Sequence, residues 1–314
     1  MDRGRTIALK TGRALGSVLM VVILVFLALR MVPGDPAILI LGEQARPADI
    51  ERFEKATHLD KALPQQLQAY LGDIADGSLG KPYQARFDTP TVSSLLSDRL
   101  PYTLELAIVA ILLAILIAVP AGIIAALRPN GLMDRAVLGF SLVGVAVPTF
   151  WLGPMLIYIF TVSMDILPGP AEPITGPAHL LLPALTLAFG LSGKLVRFVR
   201  TGVLEVLSEE YVLVARSKGL HGPQFLLKHV LPGALIPVVT LIGVQLAALL
   251  GGTIVVEQVF ARPGIGRLLM DAIYVRDYNV VQGCVLTIAV GYVVVHLFVD
   301  LIYTWIDPRV KAEA

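Results

Sequence analysis

The stretch Glu210-Tyr-Val-Leu-Val-Ala-Arg-Ser-Lys-Gly219, continuing as Leu220-His-Gly-Pro223-Gln-Phe-Leu-Leu-Lys-His-Val-Leu-Pro232, lies between two long apolar runs and decides how the chain is read. Leu207, Tyr211 and Val214 recur at helical spacing, so they give one short helix an apolar stripe, with Arg216 and Lys218 to its side. Gly219 supplies the stop, because a residue without Cβ takes the left-handed conformation that closes a helix end. Pro223 suits the first turn of a second helix, where its missing N–H would find no partner anyway. The pattern predicts helix, tight break, helix. An apolar knob beside a sharp turn on a basic surface is suited to docking into a groove of another protein; an ordinary amphipathic loop is the plainer alternative.

Outward from this segment the chain is dominated by apolar surface. It is 56% hydrophobic and 16% charged, with mean hydropathy +0.76, too apolar for a soluble single-core domain of 314 residues. The apolar cores lie near 14–31, 103–127, 137–164, 180–198, 233–256 and 282–305, each close to the roughly 20 residues that cross a bilayer. Six helices put both ends on one side. Lys and Arg test the orientation: fourteen fall before the first core, in 128–135, in 194–229 and after 306, against three in the short loops 165–178 and 259–281. That asymmetry places the 210–232 segment and both termini in the cytoplasm. Arg30 stands where a cleavage site would need a small residue, so the first core is expected to stay as a span. Cys284, in an apolar run, reads as a packing residue.

The chain is expected to divide into 1–32, a cytoplasmic start and first span; 33–100, a polar helical subdomain on the outer face; and 101–314, a membrane core with the cytoplasmic loop at 201–232. Pro120, Pro148, Pro154, Pro183 and Pro237 fall in or at the ends of spans, where each removes a backbone donor and favours a bend or a buried neighbour. Lys194, Arg197 and Arg200 read as interfacial anchors or as contacts that position the loop, Asp300 as a partner for one of them, and His296 as a hydrogen-bonding helix contact. Glu105 and Glu257, at span ends, are expected near water.

The segment resembles the E-A-A loop of ATP-binding-cassette importer permeases, Glu-Ala-Ala-x3-Gly-x9-Ile-x-Leu-Pro. Aligned on Gly219, Leu213, Val214 and Ala215 fill the first slots and His229, Val230, Leu231 and Pro232 the last; the Gly, the second Ala and the Leu-Pro match. The run Tyr211 to Leu220 is similar to the dipeptide, oligopeptide and nickel branch, which favours Tyr-Val-Arg-Thr-Ala-Arg-Ala-Lys-Gly-Leu. Pro33-Gly34-Asp35-Pro36-Ala37, Leu59-Asp60-Lys61 with Gln66, Gly251 to Phe260, Arg262-Pro263-Gly264-Ile265-Gly266, Arg276-Asp277-Tyr278 and Asp307-Pro308-Arg309 resemble the same branch. His58 stands where that branch usually has Gly, Ala62 where it has Pro, Ser78 where it has Asp, and Asn279 where it has Pro.

The resemblance implies an all-α integral membrane protein of six transmembrane helices, the type I importer permease fold with an extracytoplasmic helical insertion after helix 1, in a bacterial inner membrane. It implies half of a translocation pathway for di- or oligopeptides, with nickel complexes or glutathione as alternatives. The partners it implies are a second homologous permease, two cytoplasmic ATPase subunits carrying ATP and Mg, and an extracytoplasmic solute-binding protein, with no nucleic acid. Tyr211, Val214, Ala215, Arg216, Ser217, Lys218, Gly219 and Leu220 would then be the ATPase-coupling residues.

No catalytic, metal or cofactor set is expected in this chain. Gly193-Lys194 is preceded by Ala188 and followed by Leu195, so it is no phosphate-cradling loop, and ATP hydrolysis is expected on another polypeptide. The rival reading is an ion-coupled secondary transporter, which would want ionisable groups near the midplane and internal repeats.

Overall fold

A computed structural model describes the backbone of residues 3–83, 91–170 and 176–306 and the side chains of 12–83, 91–170 and 176–299. All its regular elements within the described residues are helical: α1 Arg3–Met31, α2 Pro36–Leu41, α3 Pro47–Ala56, α4 Leu63–Ala75, α5 Val92–Leu127, α6 Leu132–Ala146, α7 Thr149–Leu156 continued by a π-helical turn Ile157–Ser163, α8 Ala178–Leu207, α9 Glu210–Ser217, α10 Gly222–Phe225, α11 Leu231–Ala234, α12 Ile236–Gly252, α13 Ile254–Val259, α14 Ile265–Tyr274 and α15 Tyr278–Ile306. Four helices are long and apolar enough to cross a membrane alone, and six spans result if two bent pairs each count as one. The pairs are α6 with Thr149–Ser163, bent by 102°, and Gly222–Ala234 with α12, bent by 55°. Pro148 caps the first bend and Pro237 opens α12 after the second, each where a missing N–H leaves the ladder broken. Pro120 and Pro183, by contrast, sit inside the unbroken α5 and α8. The Asp300 side chain and residues 307–310 lie outside the described residues.

Contacts divide the chain into two compact units, Met1–Thr103 with Pro263–Val293, and Leu104–Arg262 with Val294–Ala314. The first contains α1 to α4 and α14. Asp35 caps α2 by accepting from the Ala37 N–H at 2.8 Å, with Pro36 at the first helical position. Gln66 on α4 is a hub: its Oε1 accepts from Arg30 Nε at 2.7 Å, and its Nε2 donates to the carbonyls of Lys61 at 2.8 Å and Leu59 at 3.3 Å. The Arg30 guanidinium also stacks 3.5 Å from the centre of the Phe26 ring, so the one charge in the first apolar run is both hydrogen-bonded and covered. Asp277 caps α15, accepting from the Val280 N–H at 3.2 Å, and its other oxygen holds the Tyr83 N–H at 2.6 Å. Asn279, where the related permeases have Pro, donates to the Lys81 carbonyl at 2.9 Å. Burial pushes the Tyr70 hydroxyl up to about 12 and raises the Asp73 carboxyl, the latter also facing Asp76.

The second unit is packed through small residues. Ala107, Ala110, Ala114 and Ala118 recur along α5, all buried, in one cluster with Leu195, Val196, Val199 and Val203 of α8. A Cβ on Gly122 would lie 2.7 Å from that of Val199, so only glycine lets these helices meet there. Where α6 crosses α8, a Cβ on Gly144 would come to 2.9 Å from the Phe189 carbonyl, and one on Gly193 to 2.7 Å from the Ser141 carbonyl. Lipid tails are as apolar as the side chains, so such close van der Waals approach is what holds membrane helices together.

One expectation about charge needs correction. Glu257 is fully buried rather than near water. Glu105 is half exposed but forms an ion pair with Arg262, whose side chain is buried; a cation withdrawn from water requires such a counterion.

Candidate coupling site

Helix α9 begins after the extended residue Glu209 and runs for two turns. It ends in a Schellman motif: the Gly219 N–H donates to the Arg216 carbonyl at 2.9 Å, the Leu220 N–H to the Ala215 carbonyl at 3.3 Å, and Gly219 takes φ +84°. Gly222 is also left-handed, at φ +80°, and Pro223 follows in the first turn of α10. Helix, break and helix therefore stand where the sequence places them. The apolar stripe is different: Leu207 closes α8, beyond a break at Ser208–Glu209, and Leu213 joins Tyr211 and Val214 on the outer side of α9.

The two faces of α9 have separate tasks. Val212 and Ala215 are buried and, with Phe225 and Val230, belong to the core of the second unit. Tyr211, Leu213 and Val214 are each about half exposed, and Leu220 is 42% exposed just past the turn. Arg216 lies over the Phe225 ring at 5.6 Å, with its charge outward, and Ser217 folds back onto the Val214 carbonyl at 2.8 Å. Tyr211 is seated by a glycine, since a Cβ on Gly233 would stand 3.2 Å from its hydroxyl oxygen. Beside the helix is an open, mainly apolar hollow of about 560 Å³ lined by Leu127, Leu207, Arg216, Leu220, Pro223 and Phe225 among others. A protruding apolar ridge beside an apolar hollow is complementary to a partner surface that offers both a groove and a knob.

The platform beneath is tied by an ion pair that the sequence reading missed. Asp134, at the start of α6, is 2% exposed and accepts from Arg200 Nε at 2.6 Å and Nη2 at 2.8 Å, and its second oxygen also takes the Asn130 N–H at 2.8 Å. Arg200 is therefore the partner of a buried carboxylate, whereas Lys194 and Arg197 remain exposed. The signal that could have found Asp134 is the need of a cation inside an apolar helix for a counterion. Further along α8, a Cβ on Gly202 would lie 2.6 Å from the Ala234 carbonyl, so α8 and α11 meet backbone to backbone on either side of α9. Among the described residues no group of three or more His, Cys, Asp or Glu is placed to hold a metal ion.

Two family models cover nearly the whole chain: the binding-protein-dependent transport system inner membrane component over residues 118–312, and the N-terminal component of such membrane proteins over residues 6–107. The chain belongs to this permease family. A putative peptide transport system permease protein of Brucella abortus is 36% identical over 310 residues, covering 97% of this chain and 98% of that protein. A probable D,D-dipeptide transport system permease protein of Escherichia coli K12 is 38% identical, covering 92% of each chain. A glutathione transport system permease protein of Escherichia coli O6:H1 is 39% identical, covering 92% of this permease and 93% of its own length. Among solved structures, a chain of an inward-facing MetNI methionine ABC transporter superposes with TM-score 0.56 at 20% identity, covering 68% of this permease and 97% of that chain. This last likeness concerns the fold, which is that of an ABC importer permease. The permease is thus a multi-pass inner-membrane component of an ABC transporter.

Proposed function

We propose that this permease forms half of the translocation pathway of an ATP-driven importer that takes peptides from an extracytoplasmic binding protein. A second homologous permease completes the pathway, and two ATPase subunits, holding ATP and Mg, supply the work. The permease has no enzymatic activity of its own. Both termini and the segment 201–232 lie in the cytoplasm, and 33–100 forms an extracytoplasmic subdomain, in keeping with the distribution of Lys and Arg. Relatives named for peptide transport, matched over nearly their full length, support the substrate class. Glutathione, itself a peptide, is the second reading, favoured by relatives named for it.

The observation that carries the proposal is the split character of α9, with Val212 and Ala215 buried while Tyr211, Leu213 and Val214 stay half exposed. Tyr211, Val214, Ala215, Arg216, Ser217, Lys218, Gly219 and Leu220 form the coupling element; Val214, Tyr211 and Leu220 enter the ATPase groove and Ala215 and Gly219 hold them out. Closure of the ATPases on ATP then moves the spans between two packings. Val214→Asp in the complete transporter is expected to abolish ATP-dependent peptide uptake and to release the ATPases in detergent, with the permease still inserted. Wild-type uptake by that variant removes the segment from the mechanism.

A further inference from the structure

Of the four helices long enough to cross a membrane alone, α8 is the most buried, and its exposed positions include a strip with Lys194, Phe198, Thr201 and Glu205. Lys194 lies 16 residues into the helix, about 24 Å at 1.5 Å per residue, four residues before the end of the apolar core 180–198. Its side chain is exposed. It opens into a pocket of about 320 Å³ at the elbow of the bent pair, lined by Gly144 and Val145 at the end of α6, by Thr149, by Gly190 on α8, and by Gln245 on α12. That volume is at the lower end of small-ligand sites. Among the described residues, the Lys194 ammonium makes no hydrogen bond or ion pair.

Another part of the lining has the complementary polarity. Pro148 has no N–H for the Gly144 carbonyl four residues before it, so the C-terminal end of α6 keeps an acceptor and the negative end of its dipole at the elbow. Gly144 and Gly190 both line the pocket, and a Cβ on Gly190 would make only ordinary van der Waals contact with that oxygen, at 3.5 Å. One cation and one helix carbonyl end line the same small pocket, with Gln245 and Thr149 also in its lining.

We infer that this pocket is a transient binding station for short zwitterionic peptides, in which Lys194 takes the C-terminal carboxylate and the carbonyl end of α6 takes the ammonium. The assignment rests on the peptide reading and adds the residue that selects for a free carboxylate. Assembled transporter with its binding protein, in proteoliposomes, is given ATP and labelled tri-alanine or its C-terminal amide. The binding protein is the same in every arm, so a change in the acid-to-amide uptake ratio belongs to the permease. Lys194→Gln is expected to lower that ratio about tenfold, the loss of one charge-assisted contact, and Lys194→Arg to keep it. Lys194→His, retaining a titratable cation, is expected to keep the ratio at pH 5.5 and lose it at pH 8. Wild-type ratios in Lys194→Gln, or a pH-independent ratio in Lys194→His, overturn the assignment. A wild-type complex that moves neither peptide overturns the peptide reading itself, and this station with it.

Discussion

In the first compact unit Gln66 is gripped at both ends of its amide, by Arg30 Nε at 2.7 Å and by the Lys61 carbonyl at 2.8 Å, and Asp277 divides its two oxygens between two backbone N–H groups. In the second unit several close approaches depend on the absence of a side chain: Gly193 against the Ser141 carbonyl, Gly202 against that of Ala234, Gly122 against Val199. The first unit is therefore organised by polar groups that must replace lost water, the second by the removal of Cβ atoms so that backbones approach. Its exceptions are ion pairs, Arg262 with Glu105 and, among the small-residue contacts of α6 and α8, Asp134 with Arg200. The contrast implies that the second unit fails through uncompensated charge or added volume, while the first fails or improves through local backbone and hydrogen-bond chemistry.

The largest effect is expected where the second of these pairs is broken. Arg200→Leu leaves the Asp134 carboxylate enclosed with the Asn130 N–H bond in place of three bonds. Removing one member of a buried pair is far more costly than removing both, so folded, monodisperse permease should fall on the order of tenfold, and Asp134→Leu with Arg200→Leu should recover most of it. Size-exclusion profiles of the detergent-solubilised variants measure this. Equal yields for the single and the double variant would show that the pair is incidental to packing.

Next in size is added volume. Gly202→Ala places a methyl 2.6 Å from the Ala234 carbonyl oxygen, and backbone cannot swing away as a flexible side chain can. Overpacking of this kind costs about 1–3 kcal/mol, read as a lowered thermal-unfolding midpoint. Because α8 and α11 flank α9, peptide uptake should fall together with stability. An unaltered midpoint would mean that α8 and α11 separate freely, and that the coupling helix rests on its own buried residues.

How far the sequence alone leads differs between the units in the same way. Gly219 and Pro223 were legible because each has one strong local preference, and their positions in the Schellman motif and in the first turn of α10 follow from backbone sterics. Asp35 and Gln66 were picked out only by resemblance; their hydrogen bonds supply the physical reason. Asp134 stayed hidden because an acidic residue near a helix start, beside a loop, reads as solvated, and its partner is 66 residues away. Glu257 was misread for the same cause. The inward and outward sides of α9 were not separable, since Val212, Leu213, Val214 and Ala215 are consecutive and small or aliphatic, and only packing tells which are covered.

The smallest effect, and the only gain, is expected in the first unit. His58 adopts φ +61° between α3 and α4, at the position where related permeases usually have Gly. A left-handed residue with a Cβ is strained by about 1–2 kcal/mol, while glycine loses about 0.4–1 kcal/mol more unfolded-state entropy. His58→Gly should therefore stabilise the turn by about 0.5–1 kcal/mol, since relief of strain outweighs the added chain freedom. Slower amide hydrogen exchange at Leu59 and Lys61, next to the carbonyls that hold Gln66, would report the gain locally. Faster exchange in the glycine variant would mean that the imidazole, which lines the same cleft as Asp73 and Gln66, contributes more through its contacts than its backbone costs, and that even this turn is held by polar side chains rather than by the chain's own geometry.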